Sequence, residues 1–193
     1  MSKQGAKFTL VSLSVFAVGV LIFMLYRKKR QMDAKTDARS DENNTNNMNG
    51  YYTDKNSLAA INHNPANLTD NESKWVGRVP TPERLIKEGR PTRFVAFDND
   101  FHGLRAAFIN LKNGYFAKNY NTIEKIITKW APPKENNTAG YIDYVSKSMG
   151  IDKNETLNPK DKGQMFLLLR AICVKESGFL GDDLITKAIN ENI

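Results

Sequence analysis

The chain is poor in the residues from which most catalytic and metal chemistry is built. Its 193 residues include one cysteine, Cys173, and two histidines, His63 and His102. A single cysteine excludes an internal disulfide framework, and with so few soft ligands no zinc-type cluster is apparent. Gly-x-Gly-x-x-Gly is absent, as is a phosphate-binding loop, and nothing suggests a Ser-His-Asp or Cys-His nucleophile. No internal repeat is visible. No cofactor is implied.

Positive charge is abundant overall but scarce on the part that can fold. The formal net charge is +7. Residues 1–39 hold eight Lys/Arg against Asp33 and Asp37, whereas the other 154 residues carry 20 basic and 19 acidic side chains. A nucleic-acid-binding domain would carry its basic footprint on the folded unit, so no specific nucleic acid is expected as a partner.

What is present comes in blocks. After a short tail (1–7), the segment 8–26 is free of charge and rich in Val, Leu, Phe and Ile. At about 1.5 Å rise per residue it matches a hydrocarbon core of about 30 Å, and Tyr26 sits where an interfacial aromatic would. A cleaved signal peptide would have a shorter apolar core and a small-residue cleavage site. Here Arg27-Lys28-Lys29-Arg30 follows directly, which favours a retained single transmembrane helix in a lipid membrane. The cluster outweighs Lys3 and Lys7, so the positive-inside rule puts the C-terminal part on the cytoplasmic side. Residues 27–57 then read as a basic juxtamembrane segment and a flexible linker. Asp41-Glu42-Asn43-Asn44-Thr45-Asn46-Asn47 offers almost no apolar surface to bury, and a tether of about 25 residues reaches on the order of 25–30 Å.

Residues 58–193 read as a globular domain, mainly α with a small β element. Thr92–Phe97 is β-prone. Asp100 is placed to cap a helix whose face is Phe101, Leu104, Ala107, Phe108 and Leu111. Asn121-Thr122-Ile123-Glu124 opens a helix with the stripe Ile123, Ile126, Ile127 and Trp130, ended by Pro132-Pro133. Thr138 caps a helix that Gly150 terminates. Asp161 begins a long helix running to Glu176, and Asp182 or Asp183 caps the last.

Glu176 is the sharpest chemical candidate. A carboxyl at the end of a mostly buried helix, beside a cleft, is partly desolvated; its pKa rises and a proton stays available for a glycosidic oxygen. The plainer alternative is an exposed Glu at a helix end, with Ser177-Gly178 as a stop signal. Glu135 is a second candidate acid or a helix-start residue. Tyr141 is either core or a hydroxyl offered to a site. Trp75 and Asn67 lie in loop-like stretches suited to sugar stacking and amide contacts, or to packing. Asp98, Asp100 and His102 are explained by helix capping more simply than by metal binding.

In order along the chain stand Asn62-His63-Asn64-Pro65-Ala66-Asn67-Leu68, Trp75-Val76-Gly77, Phe94-Val95-Ala96-Phe97, Gly103-Leu104-Arg105-Ala106 and Trp130-Ala131-Pro132-Pro133-Lys134-Glu135-Asn136-Asn137-Thr138 through Tyr141. Together they resemble a phage virion-protein family that is itself similar to the lysozyme-like superfamily of lytic transglycosylases and flagellar glucosaminidases. In that superfamily a Glu-Ser-Gly helix end comes first; here Glu176-Ser177-Gly178 comes last, the order of a circularly permuted lysozyme-like domain. The resemblance implies Glu176 as catalytic acid, Ser177 as its supporting neighbour, and Thr138 and Tyr141 as a cleft-side pair. It implies peptidoglycan as substrate and other virion or capsid proteins as partners. The Ala-Tyr-Asn-Ala-Gly signature of lytic transglycosylases is absent, which leaves a second reading: a non-catalytic structural or glycan-binding component of the virion. A third reading is a membrane protein that contacts anionic lipid through Arg27–Arg30.

Overall fold

The computed structural model describes residues 51–193. The apolar segment 8–26 and its basic flank lie outside the described residues. No helix among the described residues is long and apolar enough to cross a membrane.

The described elements are α1 (Leu58–Ile61), β1 (Arg78–Val79), α2 (Glu83–Lys87), β2 (Ala96–Phe97), α3 (Asp100–Ile109), α4 (Ile123–Trp130), α5 (Thr138–Met149), α6 (Lys162–Ser177) and α7 (Asp182–Asn190). A π-helical stretch, Asn110–Tyr115, and a 3₁₀ turn, Phe116–Lys118, continue α3. The architecture is mainly helical with a small β element.

Helix α6 is the centre of the core. Met165, Leu168, Leu169, Ile172 and Cys173 are fully buried along it, with Phe166 and Ala171 nearly so. Apolar residues on nearly every side of a helix require neighbours all round. Helices α5 and α7 pack on it directly, α4 packs on α5, and α3 packs on α7. The three isoleucines of the α4 stripe, Ile123, Ile126 and Ile127, are completely buried, as the i, i+3, i+4 spacing requires.

The sheet is smaller than the sequence suggests. Thr92–Phe97 was expected to form a strand, but regular pairing is confined to Ala96 and Phe97, which face Val79 and Arg78 in an antiparallel ladder. Phe94 adds one bridge to Thr69. Strand β1 carries only two residues and so has no alternation to read. Two caps fall one residue before the expected ones, and the α4 cap falls one after Asn121. Asn99, not Asp100, caps α3 through the His102 N–H. Thr122 caps α4 and Asn137, not Thr138, caps α5. Asp161 caps α6 as expected, whereas α7 starts after Gly181 with no side-chain cap. Asp182 instead accepts from Arg170 at 2.9 Å.

The packed unit also starts before Leu58. Tyr52 is buried, edge-on to Phe179 at 5.0 Å between ring centroids, and Tyr51 tilts against the same ring at 5.5 Å. The Leu180 N–H donates to the Tyr51 carbonyl, and the Tyr51 hydroxyl donates to Asp183. Thr53 runs across Gly178, whose φ is +64°; a Cβ there would stand 2.1 Å from the Thr53 hydroxyl oxygen. Only glycine fits that crossing. Two aromatic rings at the end of an Asn-rich stretch thus join the core.

Candidate active site

Glu176 is the penultimate residue of α6, and three segments converge on its carboxyl. The Tyr141 hydroxyl, from α5, donates to Oε1 at 3.0 Å. The Asn67 amide donates to Oε2 at 3.3 Å and to the Glu176 backbone carbonyl at 3.1 Å. The Trp130 indole, at the end of α4, lies close enough to favour the ionised carboxyl. Desolvation nevertheless dominates and raises the Glu176 pKa above the usual carboxylate range; Tyr141, Asn67, Trp130 and nearby Lys175 oppose it without cancelling it. The exposed helix-end alternative does not hold for this side chain.

Each donor is itself fixed. Tyr141 is buried, and burial together with Glu176 drives its own pKa far up, so it stays a neutral donor. The Lys175 ammonium lies over both Tyr141 and Tyr144, 5.9 and 5.7 Å from the ring centroids, within cation–π range. Trp130 packs against Tyr115 at 5.8 Å. Tyr115 closes the π-helical stretch, a local widening of a kind that often serves functional sites. Asn67 holds a left-handed backbone conformation, φ +48°. Its loop is clamped by Asn64, whose buried amide donates to the carbonyls of Leu68 and Val95 while its oxygen accepts from the Leu68 N–H.

Of the other residues expected at the site, Ser177 faces backbone. Its hydroxyl lies 2.7 Å from the Pro65 carbonyl and 2.9 Å from the Cys173 carbonyl, so its one proton ties the 63–67 loop to the end of α6. Thr138 is buried and donates to the Ala131 carbonyl at 2.5 Å, locking the start of α5 to the residue after Trp130. Trp75 packs half-buried against the core, in the turn that leads into β1. Glu135 is exposed and pairs with Arg93 at 3.0 Å. It lacks the burial that distinguishes Glu176.

The expected cluster of Asp98, Asp100 and His102 divides in two. His102 pairs with Asp98 at 2.5 Å. Asp100 is buried and accepts from Tyr52 and from His63, each at 2.9 Å. The Asp100 bond raises the His63 pKa against the opposing effect of burial. No group of three or more metal-ligating side chains forms among the described residues.

Sequence reading missed the roles of Trp130, Tyr115 and His63. Trp130 was visible as part of a stripe, but its indole lies close to the Glu176 carboxyl and no periodicity encodes that. His63 and Asp100 lie 37 residues apart, a pairing that only the fold creates.

No protein-family model matches the chain. The chain is similar to Protein P5 of Pseudoalteromonas phage PM2, with 35% identity over 100 residues. The match covers 50% of this chain and spans 58% of that relative's length. A phage protein therefore stands among its relatives.

Proposed function

We propose that the chain is a membrane-anchored phage virion component whose C-terminal domain cleaves glycan strands of peptidoglycan, with Glu176 as the proton donor. The observation that carries this reading is the Glu176 carboxyl: desolvated at the end of the central helix, yet held in one orientation by Tyr141 and Asn67. A half-buried carboxyl with a raised pKa holds its proton to higher pH than an exposed one, which favours protonating a glycosidic oxygen. Donation of that proton lets the sugar–oxygen bond break, and the oxygen leaves as a hydroxyl. No second carboxylate stands beside Glu176 in the geometry described, and Glu135 is engaged elsewhere. The reading therefore rests on participation by the substrate's own acetamido group, an exception to the two-carboxylate pattern. The similarity to a phage protein supports the virion setting. The apolar segment 8–26 and the basic cluster after it support the anchor, and the permuted Glu-Ser-Gly order supports a lysozyme-like domain.

One observation favours a second, non-catalytic reading. Asn67 bridges both the backbone and the side chain of Glu176, and Ser177 holds the same loop, so this constellation also serves as a staple between the 63–68 loop and α6. A structural or glycan-binding virion part would keep it for that reason alone.

Loss of turbidity of purified peptidoglycan separates the two. The full chain is compared with Glu176→Gln, which keeps shape and hydrogen bonding but holds no transferable proton. Lysis that disappears in the variant supports the acid. Equal lysis by both proteins, or none by a folded wild type, rules out Glu176 as the proton donor.

A further inference from the structure

A pocket of about 330 Å³ lies beside the two-stranded sheet, lined by Asp70, Arg78, Val79, Phe94 and Ala96 among others. Its size is at the lower end of the range for small-molecule sites, about 300–1,000 Å³. The pocket is amphipathic in an ordered way. Its apolar surface comes from Val79, Ala96 and the Phe94 ring, and the Arg93 guanidinium covers that ring at 5.1 Å. Its polar edge is the Arg78–Asp70 pair at 2.6 Å, with both side chains about one-third exposed.

That pair is electrically balanced, so it attracts neither anions nor cations strongly. It still has hydrogen-bonding capacity to offer. Asp70 Oδ2 takes the Arg78 bond and Oδ1 takes the Glu72 N–H. A carboxylate has about four acceptor positions, so others stay open. Arg78 uses donors on Asp70 and on the Ser73 carbonyl, out of five N–H groups. A neutral ligand with one apolar face and a rim of hydroxyls matches this arrangement: a pyranose ring.

The pocket is also joined to Glu176 by continuous backbone. Asn67 holds the carboxyl; Leu68 accepts from the Val95 N–H at 2.9 Å, Thr69 pairs with Phe94, and the Asp70 N–H donates to the Arg93 carbonyl at 2.8 Å. Three residues of extended chain span about 10 Å, a distance that linked sugar rings can bridge. The geometry points to the Asp70–Arg78–Phe94 pocket as a carbohydrate subsite that holds a glycan strand by a ring remote from the bond at Glu176. Its ligand class rests on the glycan reading given above, whereas its composition does not.

The test uses the full chain carrying Glu176→Gln, titrated calorimetrically with a soluble β-1,4-linked N-acetylglucosamine hexamer. Saturable binding is expected, weakened at least fivefold by Asp70→Asn and at least fivefold by Phe94→Leu. Near-ultraviolet circular dichroism of each variant establishes that it is folded. Binding that both substitutions leave unchanged, or no binding by the parent protein, overturns the subsite. The two ideas fail separately. Lysis by wild type, with binding indifferent to Asp70 and Phe94, sinks the subsite and leaves Glu176 as the acid. Hexamer binding that needs Asp70 and Phe94, from a wild type that never lyses, establishes the subsite and removes the enzyme.

Discussion

The hydroxyl of Tyr141 and Oε1 of Glu176 lie 3.0 Å apart, on two helices whose contact residues are 35 positions apart in sequence. The bond favours the ionised carboxyl and so works against the desolvation that raises its pKa. Tyr141→Phe removes the donor and keeps the ring. The Glu176 pKa then rises further, and the alkaline limb of the lysis profile moves to higher pH. The loss of one hydrogen bond also costs about 1 kcal/mol of stability. A pH–rate profile beside a urea denaturation curve checks both effects.

Glu176→Gln has a stability signature independent of activity. Because the folded-state pKa is raised above the unfolded value, the stabilising contribution of Glu176 is complete below the ordinary carboxylate pKa and is lost as pH rises through the folded one. Glutamine has no such loss. The Tm of the variant relative to wild type should therefore climb as pH rises through the range above the model carboxylate value of about 4.3. A flat difference across that range would show that Glu176 is not desolvated in solution.

Ser177→Ala removes one of two ties between the 63–67 loop and α6 and leaves the Asn67 amide as the other. The expected cost is about 1 kcal/mol, with faster hydrogen exchange at the Leu68 amide, which the Asn64 side chain protects. Exchange measured by NMR should leave the amides of α7 unchanged. Slower lysis at unchanged pH dependence would mark Ser177 as a positioning residue.

The expected membrane orientation is open to direct labelling. Cys173 is fully buried and the chain's one cysteine, so a cysteine at position 40 (Ser40→Cys) is a single reporter. A membrane-impermeant maleimide added to intact cells should leave it unmodified and should modify it after permeabilisation. Labelling in intact cells reverses the orientation.

Much of the helical framework was legible because periodic burial writes itself into sequence. Ile123, Ile126 and Ile127 announce α4, and the apolar run from Met165 to Cys173 announces α6. Caps were displaced by single residues because Asn99-Asp100 and Asn137-Thr138 each offer two competent side chains, and only backbone geometry chooses between them. The strand around Phe94 shrank because β propensity reports a fit to a half-buried surface and does not specify a partner. Tyr51 and Tyr52 were assigned to the linker because composition is averaged over a window, whereas two rings need only one ring, Phe179, to leave water. Glu176 could be singled out by its place at the end of an apolar helix. Tyr141 and Asn67 were expected near a site and Trp130 was not, but their meeting at Glu176 was illegible because it arises only through tertiary packing.

Phe179 tests that entry segment. Phe179→Ala removes the ring against which Tyr51 and Tyr52 pack, a change that typically costs about 3–5 kcal/mol in a core. Limited trypsin digestion should then cut faster after Lys55. Undiminished resistance would show that the Asp100 and Asp183 bonds hold the segment alone.

The crossing of Thr53 over Gly178 has a mechanical consequence. The covalent route from residues 1–50 into the domain passes through Tyr51–Thr53, which rests on Gly178 and Phe179, two and three positions beyond Glu176. A pull on that route is met first at Tyr51, by Leu180 and by Asp183 at the start of α7, next at Tyr52, by Asp100 at the start of α3, and only then at Thr53, by Gly178 after the end of α6. Force applied through the N-terminal side is therefore shared among the starts of α7 and α3 and the Gly178–Phe179 turn, three places that the fold already ties to one core, and the Glu176 carboxyl is shielded from bearing it alone.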